Sequence, residues 1–178
     1  MDQAKKSITI LHFNDVYNIE EGEREPVGGI ARFKTALEQH STENTLVLFS
    51  GDLFSPSTLS SVTRGDHMIL PINEFGVDVA CIGNHDFDNG LAKLSELMKQ
   101  CKFPWLLANV HDPDTNTPFG GCQEYYILEK FGYKFGFVGL AEHEWLVVLP
   151  LPSSHLQYED FVECGKRYNK FLREEKGC

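Results

Sequence analysis

The stretch Gly83-Asn84-His85-Asp86-Phe87-Asp88-Asn89-Gly90 limits the possible folds of this chain more than any other. It follows Val77-Asp78-Val79-Ala80-Cys81-Ile82, an apolar, β-branched run that reads as a buried strand. It precedes Leu91, Leu94, Leu97 and Met98, which share one face of a helix. A polar octet therefore sits where a strand ends and a helix begins. In an open α/β sheet the loops beyond the carboxyl ends of strands form the ligand crevice. Taken alone, the octet also reads as a polar turn with an Asp or Asn helix cap.

Two upstream stretches repeat the arrangement. Ile8-Thr9-Ile10-Leu11-His12-Phe13 is β-rich and ends in Asn14-Asp15-Val16-Tyr17, and Thr45-Leu46-Val47-Leu48-Phe49-Ser50 ends in Gly51-Asp52. Three strands thus deliver Asp15, Asp52, and Asn84 with His85 at their carboxyl ends. Carboxylate and amide oxygens suit Mg²⁺ or Mn²⁺, and an added imidazole suits Zn²⁺ or Fe²⁺. Strand–helix alternation predicts an α/β fold with a mixed sheet.

Asn14-Asp15, Gly51-Asp52 and Gly83-Asn84-His85-Asp86-Phe87-Asp88 resemble the motif series of the calcineurin-like metallophosphoesterases. Gly28-Gly29-Ile30-Ala31-Arg32 and Leu107-Ala108-Asn109-Val110 are similar to segments of the 5'-nucleotidase branch. The resemblance runs from about residue 7 to the end. It implies a sandwich of mixed β-sheets flanked by helices and a two-metal site that hydrolyses phosphate monoesters. The substrate class it implies is a nucleotide. By the same resemblance Asp15 ligates one divalent ion, Asn84 the other, and Asp52 bridges both. His85 is then no ligand but a proton donor to the substrate, oriented by Asp88. A carboxylate partner fixes an imidazole tautomer and stabilises its protonated form.

Two features depart from the family pattern. Tyr17 stands where the family has a histidine ligand; a phenol with a pKa near 10 is a poor ligand unless the metal deprotonates it. Tyr17 is left as a metal, substrate or stacking contact. Nothing in the sequence matches the family's later Gly-His-x-His element. The 178 residues therefore read as the N-terminal portion of one catalytic domain, apparently C-terminally incomplete. Alternatives are a phosphodiesterase or sugar-phosphate phosphatase of the same superfamily, or a non-catalytic form that binds metal or a partner.

The formal net charge of −10 argues against a nucleic-acid or anionic-membrane binder, which would show a basic face. It does not exclude a phosphate substrate, because bound metal ions invert the local field. No apolar run approaches the roughly 18 residues of a membrane span. The N-terminal residues show no secretory pattern, so a cytoplasmic setting is expected. Five cysteines without CxxC spacing read as reduced thiols, with Cys81 packing in its strand.

Along the chain, Gly28-Gly29 opens a helix bearing Ile30, Phe33 and Leu37, with Arg32 on its surface. Pro56 is placed to start a helix, with Ser55 and Ser57 as caps. A helix is expected over residues 65–75, with His67 at the surface. Residues 104–109 read as a strand ending at Asn109. Residues 123–130 and 133–140 read as a β-hairpin around Phe131-Gly132. The run Asp112-Pro-Asp114-Thr-Asn116 superficially resembles a calcium loop, but lacks the required Gly and Glu and is a turn. Residues 141–156, with Glu142, His143 and Glu144, read as a solvated loop. Tyr158, Phe161, Val162, Tyr168, Phe171 and Leu172 form the apolar stripe of a last helix.

Overall fold

The computed structural model describes residues 7–149 and 156–178. Its centre is a parallel sheet in the order β1-β2-β3-β4, formed by Thr9–Phe13, Thr45–Phe49, Val79–Cys81 and Trp105–Leu106. Helix α1 (Ile30–His40) returns the chain between β1 and β2. The short α2 (Ser60–Thr63) and α3 (Ile69–Glu74) do so between β2 and β3, and α4 (Leu91–Met98) between β3 and β4. Parallel neighbours need such crossovers. Phe13 lies opposite Phe49, and Phe49 opposite Ala80. This register brings the three strand exits to one edge of the sheet.

Side chains alternate across a strand. One face of the sheet therefore presents Phe13, Val47, Phe49, Ala80 and Trp105 to the main core, which Ile72, Phe75, Leu94 and Leu97 complete from the helices. Phe33 of α1 packs edge-on against Phe13 at 4.9 Å and against Phe75 at 5.1 Å. Ile30 and Leu37 join the same cluster, as the helical spacing requires.

A second layer is built by the antiparallel hairpin β6 (Tyr125–Lys130) and β7 (Tyr133–Val138) with α6 (Phe161–Glu174). The hairpin turn places Phe131 and Gly132 at φ 57° and 81°, a backbone usually taken by Asn-Gly. Lys130 spans the layers, donating to Asp78 Oδ1 at 2.7 Å and to the Thr45 carbonyl at 3.1 Å. In α6, Asp160 caps the amides of Val162 and Glu163. The buried residues are Cys164, Tyr168 and Leu172. Phe161 and Val162 stay largely exposed, so the stripe read from sequence is shifted toward Cys164.

Several local expectations change. The predicted helix over 65–75 divides into a 3₁₀ turn at Asp66–Met68 and α3. Pro56 opens no helix, since α2 begins at Ser60. The strand expected to end at Asn109 stops at Leu106, and β5 (Val110–His111) pairs instead with β8 (Gln157–Tyr158). Asn109 is fully buried at this break. Its amide donates to the carbonyls of Ala141 at 2.8 Å and Glu159 at 3.0 Å and accepts from the Ala141 amide at 2.9 Å. It pins three segments together. The Asp112 run is a turn, its Oδ1 accepting from the Asp114 amide at 2.8 Å. All five cysteines are free. Among the described residues no helix is long and apolar enough to cross a membrane.

Candidate functional site

The exits of β1, β2 and β3 touch one another through backbone. The Asp15 amide donates to the Gly51 carbonyl at 3.0 Å. A Cβ on Gly51 would lie 2.5 Å from Gly83 Cα and 2.7 Å from the Ile82 carbonyl carbon. A Cβ on Gly83 would lie 2.8 Å from Asp52 Cγ and would overlap the Asp52 amide nitrogen. Only two glycines permit this approach. Asp15 and Asp52 themselves adopt φ 57° and 61°. Non-glycine residues reach that region at a cost of order 1 kcal/mol, and such outliers cluster at functional sites.

Asp86 holds the contact together. It is 1% exposed. Its Oδ2 accepts from the amides of Asp52 at 3.0 Å and Gly83 at 2.9 Å, and its Oδ1 from Leu53 at 2.8 Å and Phe54 at 3.1 Å. Burial pushes its carboxyl up to about 6, while the amides of Gly83, Leu53 and Phe54 oppose that shift. The sequence reading left this residue without a role. Nothing in the octet distinguishes Asp86 from Asp88; only the fold shows which carboxylate the amides surround.

His85 starts a 3₁₀ turn, His85–Phe87. Its amide donates to Asp52 Oδ1 at 2.9 Å. Its Nδ1 lies 3.1 Å from Asp88 Oδ2, and its side chain is 43% exposed, so the imidazole stays open to solvent. The Ser55 hydroxyl donates to the same Asp88 oxygen at 2.7 Å. Ser55 is therefore a brace for Asp88 and not the helix cap expected. Ser57 exchanges reciprocal bonds with Ser60 at 2.7 and 3.0 Å in the turn leading into α2, but the N-cap position of that helix is Leu59 and not the serine expected. Burial raises the Asp52 carboxyl above its ordinary value; the His85 amide opposes this, and the Asp15 and Asp88 carboxylates add to it.

Asp15, Asp52 and Asn84 line one cleft of about 870 Å³. Glu142, Glu144 and Trp145 line it too, from the start of α5 (His143–Val147) and the residue before it. This corrects the expectation of a loop at these positions: there is a short helix, and both glutamates reach the cleft. His143 turns instead to the Tyr158 ring at 5.3 Å. Cys81 also lines the cleft, because its strand exit opens there. Among the described residues no Lys or Arg lines it. Arg32 pairs with Glu21. Tyr17 is not among the lining residues, and its backbone carbonyl faces His67.

Among the described residues no three His, Cys, Asp or Glu side chains converge closely enough to hold a metal ion. Asp15, Asp52 and Asn84 bring two carboxylates and one amide to the cleft, beside the carboxylates of Glu142 and Glu144. These hard oxygens fit Mg²⁺ or Mn²⁺ in kind, with water or further donors needed to complete a coordination sphere. Burial and the Asp15 and Asp88 carboxylates disfavour the charged form of Asp52, a penalty that a bound cation would relieve.

The sequence profile of the calcineurin-like phosphoesterases matches residues 8–172. A snake venom 5'-nucleotidase from Naja atra is 33% identical over 170 residues, 88% of this chain and 32% of the relative. A probable 5'-nucleotidase from Treponema pallidum is 30% identical over 173 residues, 90% of this chain and 29% of the relative. Among solved structures, the NAD nucleotidase of Haemophilus influenzae superposes with a TM-score of 0.80 at 23% identity, over 95% of this chain and 32% of that one. The chain thus spans about a third of the length of these relatives. Its parallel sheet flanked by helices, its three strand-end motifs and the profile match agree, and the chain belongs to the calcineurin-like phosphoesterase family.

Proposed function

We propose that this chain forms part of a 5'-nucleotidase-like site that hydrolyses phosphate monoesters, nucleotides in particular, with two divalent metal ions. The observation that supports this best is the meeting of Asp15, Asp52 and Asn84 in a cleft without Lys or Arg among its described lining residues. A phosphate dianion meets no Lys or Arg among those described residues, and bound metal ions would supply the positive charge it needs. The names of the similar proteins point to nucleotides as the substrate class.

Such ions, when bound, supply a hydroxide near neutral pH and offset the charge on the phosphoryl oxygens. Asp15 and Asn84 would each hold one ion and Asp52 both. In the imidazolium form of His85, Nδ1–H donates to Asp88 and Nε2–H is left to give its proton to the leaving oxygen, which returns the ring to its neutral form. Ser55 keeps Asp88 in place. Asp52 ties the two functions, since the same carboxylate accepts the His85 amide.

Isothermal calorimetry with Mn²⁺ tests the ligand assignment. Asp52→Asn should weaken binding roughly 100-fold or more, beyond the effect usual for outer-shell partners. Tyr17→Phe should cost far less, because a neutral phenol serves one ion at most. A larger loss from Tyr17→Phe would overturn the assignment. In a form of the protein that turns over AMP, His85→Asn should lower kcat by about 10²–10⁴-fold while Mn²⁺ content is unchanged. Metal loss in parallel with activity would make His85 a ligand.

With Asp15, Asp52 and Asn84 as the ligands, a second reading is favoured: metal binding with little turnover by this chain alone. Each ion would have two protein ligands, whereas catalytic zinc sites usually keep three. Purified chain with Mn²⁺, Zn²⁺ or Mg²⁺ should hydrolyse AMP and p-nitrophenyl phosphate weakly or not at all. Robust turnover that Asp52→Asn abolishes would show that a further residue of this chain completes the site.

A further inference from the structure

His67, expected at the surface, is half-buried in the 3₁₀ turn that follows α2. Its ring reaches three segments. Nδ1 lies 2.7 Å from the Thr63 hydroxyl, and Nε2 lies 3.2 Å from the Tyr17 carbonyl and 3.4 Å from Ser57 Oγ. Residues 16–18 lie in the irregular stretch directly after Asp15 and belong to no strand or helix. Among the described residues, His67 is their one hydrogen-bond partner. We infer that His67 is a positioning residue for the metal site, tying the Tyr17 carbonyl to the α2 segment and so holding Asp15 at its left-handed backbone.

The chemistry fixes the tautomer. A carbonyl oxygen can only accept, so the Tyr17 contact requires a proton on Nε2. Nδ1 then faces the Thr63 hydroxyl, a group able to give or take a hydrogen bond. Asp15 is otherwise tied to the sheet by its own amide on Gly51. That bond fixes the start of the stretch, Val16 and Ile19 pack against the main core, and the His67 contact supplies the hydrogen bond between them. A φ of 57° at Asp15 is maintained only where neighbouring contacts over-determine it. The His67 tether, two residues on, is such a contact.

This role rests on Asp15 being a metal ligand, and the test separates the two ideas. His67→Ala and His67→Asn should weaken Mn²⁺ binding about 10-fold, the lower range for outer-shell partners, with melting temperatures close to the parent. His67→Gln should restore most of the affinity, because its amide N–H reaches the position of Nε2 whereas that of Asn reaches only Nδ1. A general structural role would not discriminate Gln from Asn in this way. Unchanged affinity in His67→Ala, or no rescue by Gln, would overturn the tether. Nitrogen-15 histidine NMR of the parent supplies a readout independent of metal: a slowly exchanging Nε2 proton is expected, and an Nδ1–H tautomer with bare Nε2 would also overturn it. A parent that binds no Mn²⁺ would refute the metal-site proposal, while the NMR spectrum still decides the tether.

Discussion

Gly83→Ala is expected to cost at least about 3 kcal/mol, the upper end of overpacking penalties. Its new methyl would meet the Asp52 backbone nitrogen and lie 2.8 Å from Asp52 Cγ. Neither is the flexible end of a long side chain. Relief would require the exits of β2 and β3 to separate, which breaks the Asp86 bonds to Asp52 and Gly83. For a chain of this size the melting temperature should fall by roughly 6–12 °C, and Mn²⁺ binding should fall with it, because Asp52 is displaced. Gly22→Ala is the control. Its Cβ meets only the Val27 carbonyl at 3.6 Å, so stability should change by less than about 0.5 kcal/mol. Equal melting temperatures for the two variants would show that the loop contact is looser than described.

Asp86→Ala should destabilise by roughly 3–5 kcal/mol, as expected when several buried donors lose their acceptor together. Four amides lose a partner in a region water cannot readily reach, and three of them belong to the Asp52–Phe54 segment. Asp86→Asn is the sharper experiment because it keeps the shape. Its carbonyl oxygen can still serve Leu53 and Phe54, but its NH₂ would then face the amides of Asp52 and Gly83, donor against donor. A loss of about 2–3 kcal/mol is expected. Urea denaturation measures both. An Asp86→Asn variant as stable as the parent would mean that the negative charge is not what organises the loops. Asp52→Asn should behave oppositely: burial and neighbouring carboxylates disfavour the Asp52 charge, so that variant should fold at least as well while losing metal.

The contrast between Asp86 and Asp88 marks the limit of the sequence. Both are acidic and lie two residues apart, so local pattern treats them alike. In the fold, Asp86 is enclosed by the β2 exit, whereas Asp88 points to His85 and Ser55. Likewise, the apolar periods located α1, α4 and the hairpin, because burial of one face is written into spacing. They did not locate the role of Asn109, because it depends on segments more than thirty residues away.

The sequence by itself located the strands β1, β2 and β3 and set Asp15, Asp52 and Asn84 just beyond their carboxyl ends, since side-chain period and chain order are local properties; that these strands pair in parallel was decided by the tertiary structure. Tertiary structure alone decided that Glu142 and Glu144 enter the same cleft, that Arg32 does not, and that His67 grips the Tyr17 carbonyl. Those outcomes depend on how distant segments cross, and a hydrogen bond reaching only about 3 Å forms or fails on that geometry.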